Sequence, residues 1–240
     1  MDSNPFSMRK FLFIGAFLAG ALGAVAQEEP ALVTEENDPN KQFTPISVVL
    51  NLNSTRLFDL SSSVDQKWFS RGLDVSLHYE FQFSKNFGFA PGIGFSTGNY
   101  FIDGTVMSTT DSVTNITTSD IVSFDDDFNF RRHKLSSNYV EIPLEFRFKS
   151  NPNATGTSYK VALGFKAGYM VNFHTKTVTS SNRFKDFNFD DINPLRFGPT
   201  FRFAYGRFGL SGFYSLSSLF EDGKGPTITP VALGITLLPY

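Results

Sequence analysis

The chain has 240 residues, of which 29 are phenylalanine and none is cysteine. Its 21 basic and 23 acidic side chains leave a formal net charge of −2, so it lacks the basic excess of a protein that binds nucleic acid. The absence of cysteine excludes a disulfide framework and a lipid-modified cysteine. Phenylalanine at this frequency exceeds the needs of a soluble core and is typical of the aromatic belts of membrane barrels.

The first 26 residues have the three parts of a secretory signal peptide. Met8-Arg9-Lys10 is a positive n-region, 11–22 is apolar, and Ala24-Val25-Ala26 is a small-residue cleavage site, with translation predicted to start at Met8. The alternative is a membrane-anchor helix, for which the apolar run is short. We therefore expect an exported protein, with a disordered acidic lead-in at 27–43 and a barrel domain at 44–240.

The clearest strand signal lies between Leu73 and Phe83. Every odd residue in this stretch is apolar and every even one is polar or charged, which predicts a strand with one apolar and one polar face. Its length matches the roughly 9 to 11 residues that a tilted strand needs to cross a bilayer. Similar alternation recurs along the chain and helical periodicity is absent, so the sequence predicts an all-β fold.

Eight strands are predicted, at 45–57, 71–84, 87–98, 137–149, 158–174, 194–206, 207–219 and 228–240. Short turns follow the second, fourth and sixth strands, at 85–86, 150–157 and 206–207. Long polar loops follow the other strands, at 58–70, 99–136, 175–193 and 220–227. This alternation predicts a closed, antiparallel, up-and-down transmembrane β-barrel of about eight strands, with short periplasmic turns and long extracellular loops. We expect a monomeric barrel surrounded by outer-membrane lipid.

Aromatic residues cluster at both predicted rims of the barrel. Those around the short turns are Phe81, Phe83, Phe87, Phe89, Phe146, Phe148, Tyr159, Phe203, Tyr205 and Phe208. Candidates for the opposite belt are Trp68, Phe69, Tyr100 and Phe173. Aromatic rings at these two levels are expected to meet the lipid head groups.

Charged residues alternate with the apolar ones and are predicted to point into the barrel. This inward set is Asp74, His78, Glu80, Glu141, Glu145, Arg147, Lys160, Lys166, Arg196 and Arg202. An eight-stranded barrel has room inside only for side chains, so these groups are expected to form an ionic plug and not to line a wide pore. Pro91, Pro143 and Pro199 each remove a ladder donor, which predicts bulges or local breaks.

The run Asn138-Tyr139-Val140-Glu141-Ile142-Pro143-Leu144 resembles the N-Y-[LV]-E-I-P-L signature of PorT-like outer-membrane β-barrels. The segments 164–172 (GFKAGYMVN) and 234–238 (GITLL) are similar to later strands of that family, and the resemblance spans roughly 44–240. It implies an eight-stranded barrel in the outer membrane. The namesake of the family is tied to the secretion and maturation of exported proteases, and this role is not transferred by fold alone.

Two other classes of protein stay open from the sequence. A lipid-modifying outer-membrane hydrolase would need a Ser, His and acid constellation near the outer rim, where His174 lies near Ser180 and Ser181 without a supporting motif. His78 is mid-strand and is predicted to belong to the plug. A soluble ligand-binding barrel is the other alternative, although it does not explain the aromatic belts. We predict a protein that is not an enzyme and has neither a cofactor nor a metal site.

The tetrapeptide D-F-N-F occurs in two long loops, with its phenylalanines at Phe128 and Phe130 and at Phe187 and Phe189. These rings are predicted either to cap the barrel by packing on each other or to form a patch that binds a partner protein. The sequence thus predicts an integral outer-membrane barrel that acts as a structural or partner-binding envelope component. A protein of a secretion or envelope-assembly pathway is the candidate partner.

Overall fold

The computed structural model describes residues 45–112, 114–115, 117–124, 131–179, 182–187, 189 and 191–238. The described residues belong to one compact unit, Thr44–Tyr240. The predicted signal peptide at 1–26 and lead-in at 27–43 lie outside the described residues. No helix in the described part of the chain is long and apolar enough to cross a membrane.

Twelve strands form among the described residues of this unit. They are β1 (Ile46–Phe58), β2 (Arg71–Tyr79), β3 (Phe81–Gln82), β4 (Phe87–Tyr100), β5 (Gly104–Thr110), β6 (Thr117–Ser123), β7 (Arg132–Lys149), β8 (Tyr159–Val178), β9 (Arg183–Asp186), β10 (Leu195–Tyr205), β11 (Phe208–Tyr214) and β12 (Thr229–Leu237).

Eight of these strands close into a ring. The antiparallel order is β1, β2, β4, β7, β8, β10, β11 and β12, and β12 pairs back to β1 with Leu237 opposite Leu50. Each ring strand thus pairs with the ring strands that come before and after it in the chain, as in an up-and-down barrel. The predicted closed eight-stranded architecture is confirmed.

The alternation of each strand sorts its side chains between two faces. On β7, Val140, Ile142 and Leu144 are exposed, whereas Glu141 and Glu145 between them are buried. The same arrangement holds around the ring, where large apolar side chains cover the outer wall and polar side chains face the interior. Sequence alternation with a period of two residues therefore produces an apolar cylinder with a charged interior.

Aromatic rings gather at the short-turn end, where the sequence predicts them. Phe87 packs on Phe148 with ring centroids 5.0 Å apart, and Tyr159 packs on Tyr205 at 4.8 Å. Trp68 and Phe69 are exposed at the long-loop end. The prediction for Tyr100 and Phe173 is wrong, because both rings are buried inside the barrel and not on its outer belt.

A β-bulge explains why Phe173 turns inward. Asn138 pairs with Asn172, but the next residue, Tyr139, pairs with Met170, so Val171 is an extra residue on β8. Beyond this bulge the inward positions of β8 change from even to odd numbers. Tyr100 needs no bulge, because β4 continues to this residue and its even-numbered positions all face inward.

β7, which follows the longest loop, and β8, which precedes the loop at 175–193, extend past the predicted limits. β7 has 18 residues and β8 has 20, about twice the number that crosses a bilayer. The predicted long polar loop at 99–136 contains the hairpin of β5 and β6, which the sequence analysis did not predict. β9 lengthens the sheet further by pairing with the end of β8.

The three prolines have different outcomes. The β4–β7 ladder is interrupted between the pairs Pro91–Leu144 and Gly94–Glu141, so the predicted break is present beside Pro91 and Pro143. The β10–β11 ladder ends at Thr200, next to Pro199. Pro143 and Pro199 nevertheless pair regularly with β8 on the other side of their strands. The backbone N–H that each proline lacks would point away from β8, so pairing with β8 loses no hydrogen-bond donor.

Candidate functional site

The barrel interior contains two groups of ion pairs, one above the other. The upper group is centred on Glu141, which is buried and accepts hydrogen bonds from Lys166 at 2.9 Å and from Arg196. Lys166 also lies 3.5 Å from Asp74, which accepts a further bond from Asn53 at 2.8 Å. These side chains come from five strands and hold opposite walls of the barrel together.

Arg196 is enclosed by partners of two kinds. Its guanidinium donates to Glu141 and to Ser96, and it lies over the ring of Tyr139 at 3.8 Å from the centroid. Phe213 covers the neighbouring ammonium of Lys166 at 4.3 Å. A guanidinium is planar, so it stacks on a ring and hydrogen-bonds at its edge at the same time.

The lower group is centred on Glu145. Arg202 donates to both of its carboxylate oxygens, at 3.0 and 2.9 Å, and Arg147 donates from Nε at 3.0 Å. Arg147 continues the group to Glu80 at 3.1 Å and to Ser47 at 2.7 Å. The two groups together contain four carboxylates and four cations, so their formal charges cancel.

His78 lies at the side of the lower group. Its Nδ1 is 3.2 Å from the carbonyl oxygen of Ala90 and its Nε2 is 2.9 Å from Ser76 Oγ. A carbonyl only accepts, so Nδ1 donates to Ala90. Nδ1 lies 4.0 Å from Glu145, beyond hydrogen-bond distance. The ring therefore lies beside the ion pairs without a hydrogen bond to them.

Glycines opposite these groups make room for them. A Cβ at position 168 would lie 2.9 Å from Glu141 Cγ, and one at position 92 would lie 2.9 Å from His78 Nδ1. Gly168 and Gly92 thus allow the side chains of Glu141 and His78 to lie flat against the neighbouring strand.

A cavity of about 40 Å³ separates the two groups and is lined by residues that include Asn51, Asp74, Glu141 and Arg202. Water needs about 10 to 15 Å³ per molecule by this measure, so the cavity has space for a few waters. The polar atoms Asn51 Oδ1, Arg202 Nε and Ser211 Oγ are buried without protein partners. Such atoms are the expected ligands of enclosed water.

The structure thus brings together nine of the ten residues predicted for the plug. Lys160 differs, because it is half-buried at the short-turn end, opposite Ala204 on β10. The sequence analysis missed Ser47, Ser96 and Tyr139, which complete the two groups. Strand alternation alone predicts all three as inward, and their lack of charge is the reason they were missed.

The interior at the long-loop end is apolar. Its buried cluster is Leu57, Val64, Tyr100, Ile102, Val106, Ile121, Leu135, Phe173, Ile192, Leu219, Phe220 and Ile228. These residues come from the ends of the ring strands, from the hairpin of β5 and β6 and from the connections between them. We call this cluster, together with β5, β6 and β9, the head.

A polar latch fastens the hairpin to the rest of the head. Buried Asp191 accepts a hydrogen bond from Ser119 Oγ at 2.6 Å and from Lys224 Nζ at 3.2 Å, and the backbone N–H of Ser119 donates to the Lys224 carbonyl at 2.7 Å. The bond from Ser119 lowers the pKa of Asp191. The hairpin therefore joins the connections before β10 and β12 through one ionised carboxylate.

The two phenylalanines of the second D-F-N-F copy lie in different surroundings. Phe189 packs edge-on against Phe173 at 5.3 Å and belongs to the head's core. Phe187 is exposed on the outer wall and packs on His174 at 5.3 Å. Phe128 and Phe130 lie outside the described residues, and so does any packing between the two copies.

The histidines of the head are held by neutral partners. Buried His133 contacts Thr177 Oγ1 at 2.8 Å, and its pKa is lowered to about 4 by burial. His174 hydrogen-bonds Asn172 at 2.9 Å, and burial followed by nearby lysines lowers its pKa. Ser180 and Ser181, the hydroxyls predicted near His174, lie outside the described residues. No cluster of three or more His, Asp or Glu suited to a metal is present in the described ranges.

A closed ring with an apolar wall and a neutralised charged interior defines an integral membrane β-barrel. The family model described as "Outer membrane protein beta-barrel domain" matches residues 25–221. The chain belongs to this family and is an outer-membrane barrel.

Comparisons with individual proteins give distant similarities. Among solved structures, Ail, the attachment invasion locus protein of Yersinia pestis, is 12% identical over 80% of this chain and 97% of that chain, with a TM-score of 0.34. A Rh. blastica porin mutant is 10% identical over 80% of this chain and 99% of that chain, with a TM-score of 0.22. A search of curated proteins found no match.

Proposed function

We propose that this protein is a closed outer-membrane anchor that holds a rigid head at the cell surface, where the head binds a protein partner. The observation that carries the proposal is the continuation of β7 and β8 past the membrane into a head with its own apolar core. A barrel that only had to fill the membrane would need strands half as long.

The interior favours an anchor over a pore. Buried Glu141 and Glu145 each bind two cations from other positions on the wall, and the groups block the lumen at two levels. Opening a path would separate charges that are far from water, which is costly. Apolar side chains of the head close the lumen again above them.

The head is built to keep its shape. The latch at Asp191 and the twelve buried apolar residues hold the loops of the head in one conformation. Flexible loops would lose conformational entropy when a partner binds, and loops that are already ordered avoid this cost. Exposed Phe187 and Trp68 are aromatic side chains of the kind that anchor protein interfaces.

We infer that the role is non-catalytic, that the barrel is monomeric and that export begins with a cleaved signal peptide at 1–26. The resemblance of the run 138–144 to PorT-like barrels supports a place in a secretion or envelope-assembly pathway. The partner would then be another envelope protein or an exported one.

Two measurements test the proposal. Single-channel recording of the wild-type protein in planar bilayers should give no steady conductance, and a reproducible open pore would refute the anchor. A photocrosslinker at position 187, activated in intact cells, should capture one partner that a crosslinker at Phe208, an exposed ring at the opposite rim, does not. Equal labelling at both positions would refute partner binding by the head.

A further inference from the structure

Three lysines stand side by side on the outer wall of the barrel above its apolar surface. Lys134 on β7 pairs with Lys176 on β8, and Lys176 pairs with Lys185 on β9. Directly paired residues on neighbouring strands point to the same face of a sheet. We call Lys134, Lys176 and Lys185 the basic row.

Three arginines surround the basic row. Arg132 and Arg183 flank it on β7 and β9, and Arg71 lies below it on β2. None of the described outward positions on β7, β8 or β9 beyond the bulge is Asp or Glu. Like charges placed directly opposite one another destabilise a sheet, so this arrangement calls for an anionic ligand.

The charges acting on Lys134 agree with this reading. Burial lowers the pKa of Lys134, and Lys176, Lys185, Arg71 and Arg132 lower it further. Its ammonium donates to the amide oxygen of Asn99, a neutral partner. Among the described residues, the charged groups that act most strongly on Lys134 are therefore all positive.

The position of the basic row relative to the membrane identifies the ligand. Val171 and Val140 are the last exposed apolar residues of β8 and β7 before the head. His174 and Lys176 follow Val171 by three and five residues, or about 10 to 16 Å along a tilted strand. This is the level of lipid head groups. The row also faces sideways, as the lipid-exposed valines do.

We propose that the basic row, with Arg71 and Arg132, binds the phosphate groups of anionic lipids in the leaflet next to the head. The lysines supply charge without a fixed geometry, which suits mobile phosphate head groups. This binding holds the head at a fixed height and orientation relative to the membrane surface.

The test measures the Kd of labelled diphosphoryl lipid A for the full-length protein in mixed micelles. The variant K134Q/K176Q/K185Q should raise Kd by on the order of 100-fold at low salt, since each surface lysine near anionic lipid contributes about fivefold. The control K85Q/K149Q/R207Q removes the same charge from exposed positions at the short-turn end and should leave Kd unchanged. Heat-modified mobility on gels checks that both variants fold, and K185Q alone, at the exposed end of the row, is the reserve variant.

Three results would overturn the proposal. Equal Kd for the triple variant and the wild type would show that the basic row does not bind the lipid. Displacement of lipid A by equimolar inorganic pyrophosphate would assign the row to a free phosphate ion. Binding of a heparin fragment that is lost in the triple variant, while lipid A binding persists, would assign it to a soluble sulfated glycan.

Discussion

Arg202 and Glu145 face each other across the interior with two parallel hydrogen bonds, from Nη1 to Oε2 at 3.0 Å and from Nη2 to Oε1 at 2.9 Å. This bidentate geometry fixes the guanidinium plane, and it leaves Oε2 to accept from Arg147 as well. One buried carboxylate thus binds two arginines from different strands.

Replacing Glu145→Gln should lower the free energy of unfolding by about 3 to 5 kcal/mol, because buried Arg202 loses its charged partner and Arg147 keeps only Glu80. Arg202→Met should have a smaller effect, since Glu145 keeps Arg147. Urea titration of folding in lipid vesicles measures both values. Asp222→Asn, at an exposed position, is the control. A smaller loss for Glu145→Gln than for Arg202→Met would contradict the shared-carboxylate arrangement.

The apolar wall gives a second prediction. Phe165 is exposed on β8 opposite Leu144 and Pro199, near the middle of the apolar surface. Phe165→Arg should therefore cost roughly 2 to 4 kcal/mol when folding is measured in a bilayer. Phe184→Arg makes the same change at an exposed position on the head and should cost little. Similar losses for the two variants would rule out a bilayer around Phe165.

The latch predicts local opening of the hairpin. Asp191→Asn should weaken the bonds from Ser119 and Lys224 and should raise amide hydrogen exchange in β5 by about 5- to 100-fold, the equivalent of 1 to 3 kcal/mol. Exchange in β10 should stay at the wild-type rate, because the ring does not depend on the latch. Slow exchange in β5 of the variant would mean that the apolar core alone holds the hairpin.

His133 makes the stability of the head dependent on pH. Burial lowers its pKa from 6.5 to about 4, so the folded head disfavours the protonated ring. The stabilising contribution is complete above pH 6.5 and falls as the pH drops towards 4, by about 3 kcal/mol in all. Hydrogen exchange in β5 and β6 across this range measures the loss. His133→Asn should flatten the profile between pH 6.5 and 5, a window that lies above the titration of Asp191.

Strand alternation predicts the ring and most of its interior, because a period of two residues is visible wherever one face is apolar and the other charged. The prediction for Phe173 fails at one extra residue, Val171, which no local sequence pattern distinguishes. The β5–β6 hairpin was missed for a different reason. Its sequence is rich in serine and threonine, and few of its residues, such as Val106 and Ile121, are apolar and buried. These strands are held by contacts with residues far away in the chain. Such contacts produce no periodic pattern of apolar and polar residues in the sequence of the strands.

The division of the head's aromatic residues also depends on distant contacts. Phe187 and Phe189 have the same residue type and nearly the same neighbours in the chain, yet one is on the wall and the other is in the core. Their positions follow from the partners that β8 supplies, His174 outside and Phe173 inside. The sequence alone could not tell which of the two rings is buried and which is exposed.

The walls of this barrel reverse their polarity at the level of Tyr139. Below it charged groups face the lumen and apolar ones face outward, whereas above it Leu135 and Phe173 face inward and Lys134 and Lys176 face outward. A barrel with uniform walls could slide along the membrane normal at small cost. Here a downward shift would bring lysines into hydrocarbon and an upward shift would expose valines to water. The reversal of polarity thus fixes the depth of the barrel in the membrane. A bilayer of different thickness would have to thin or thicken around the protein.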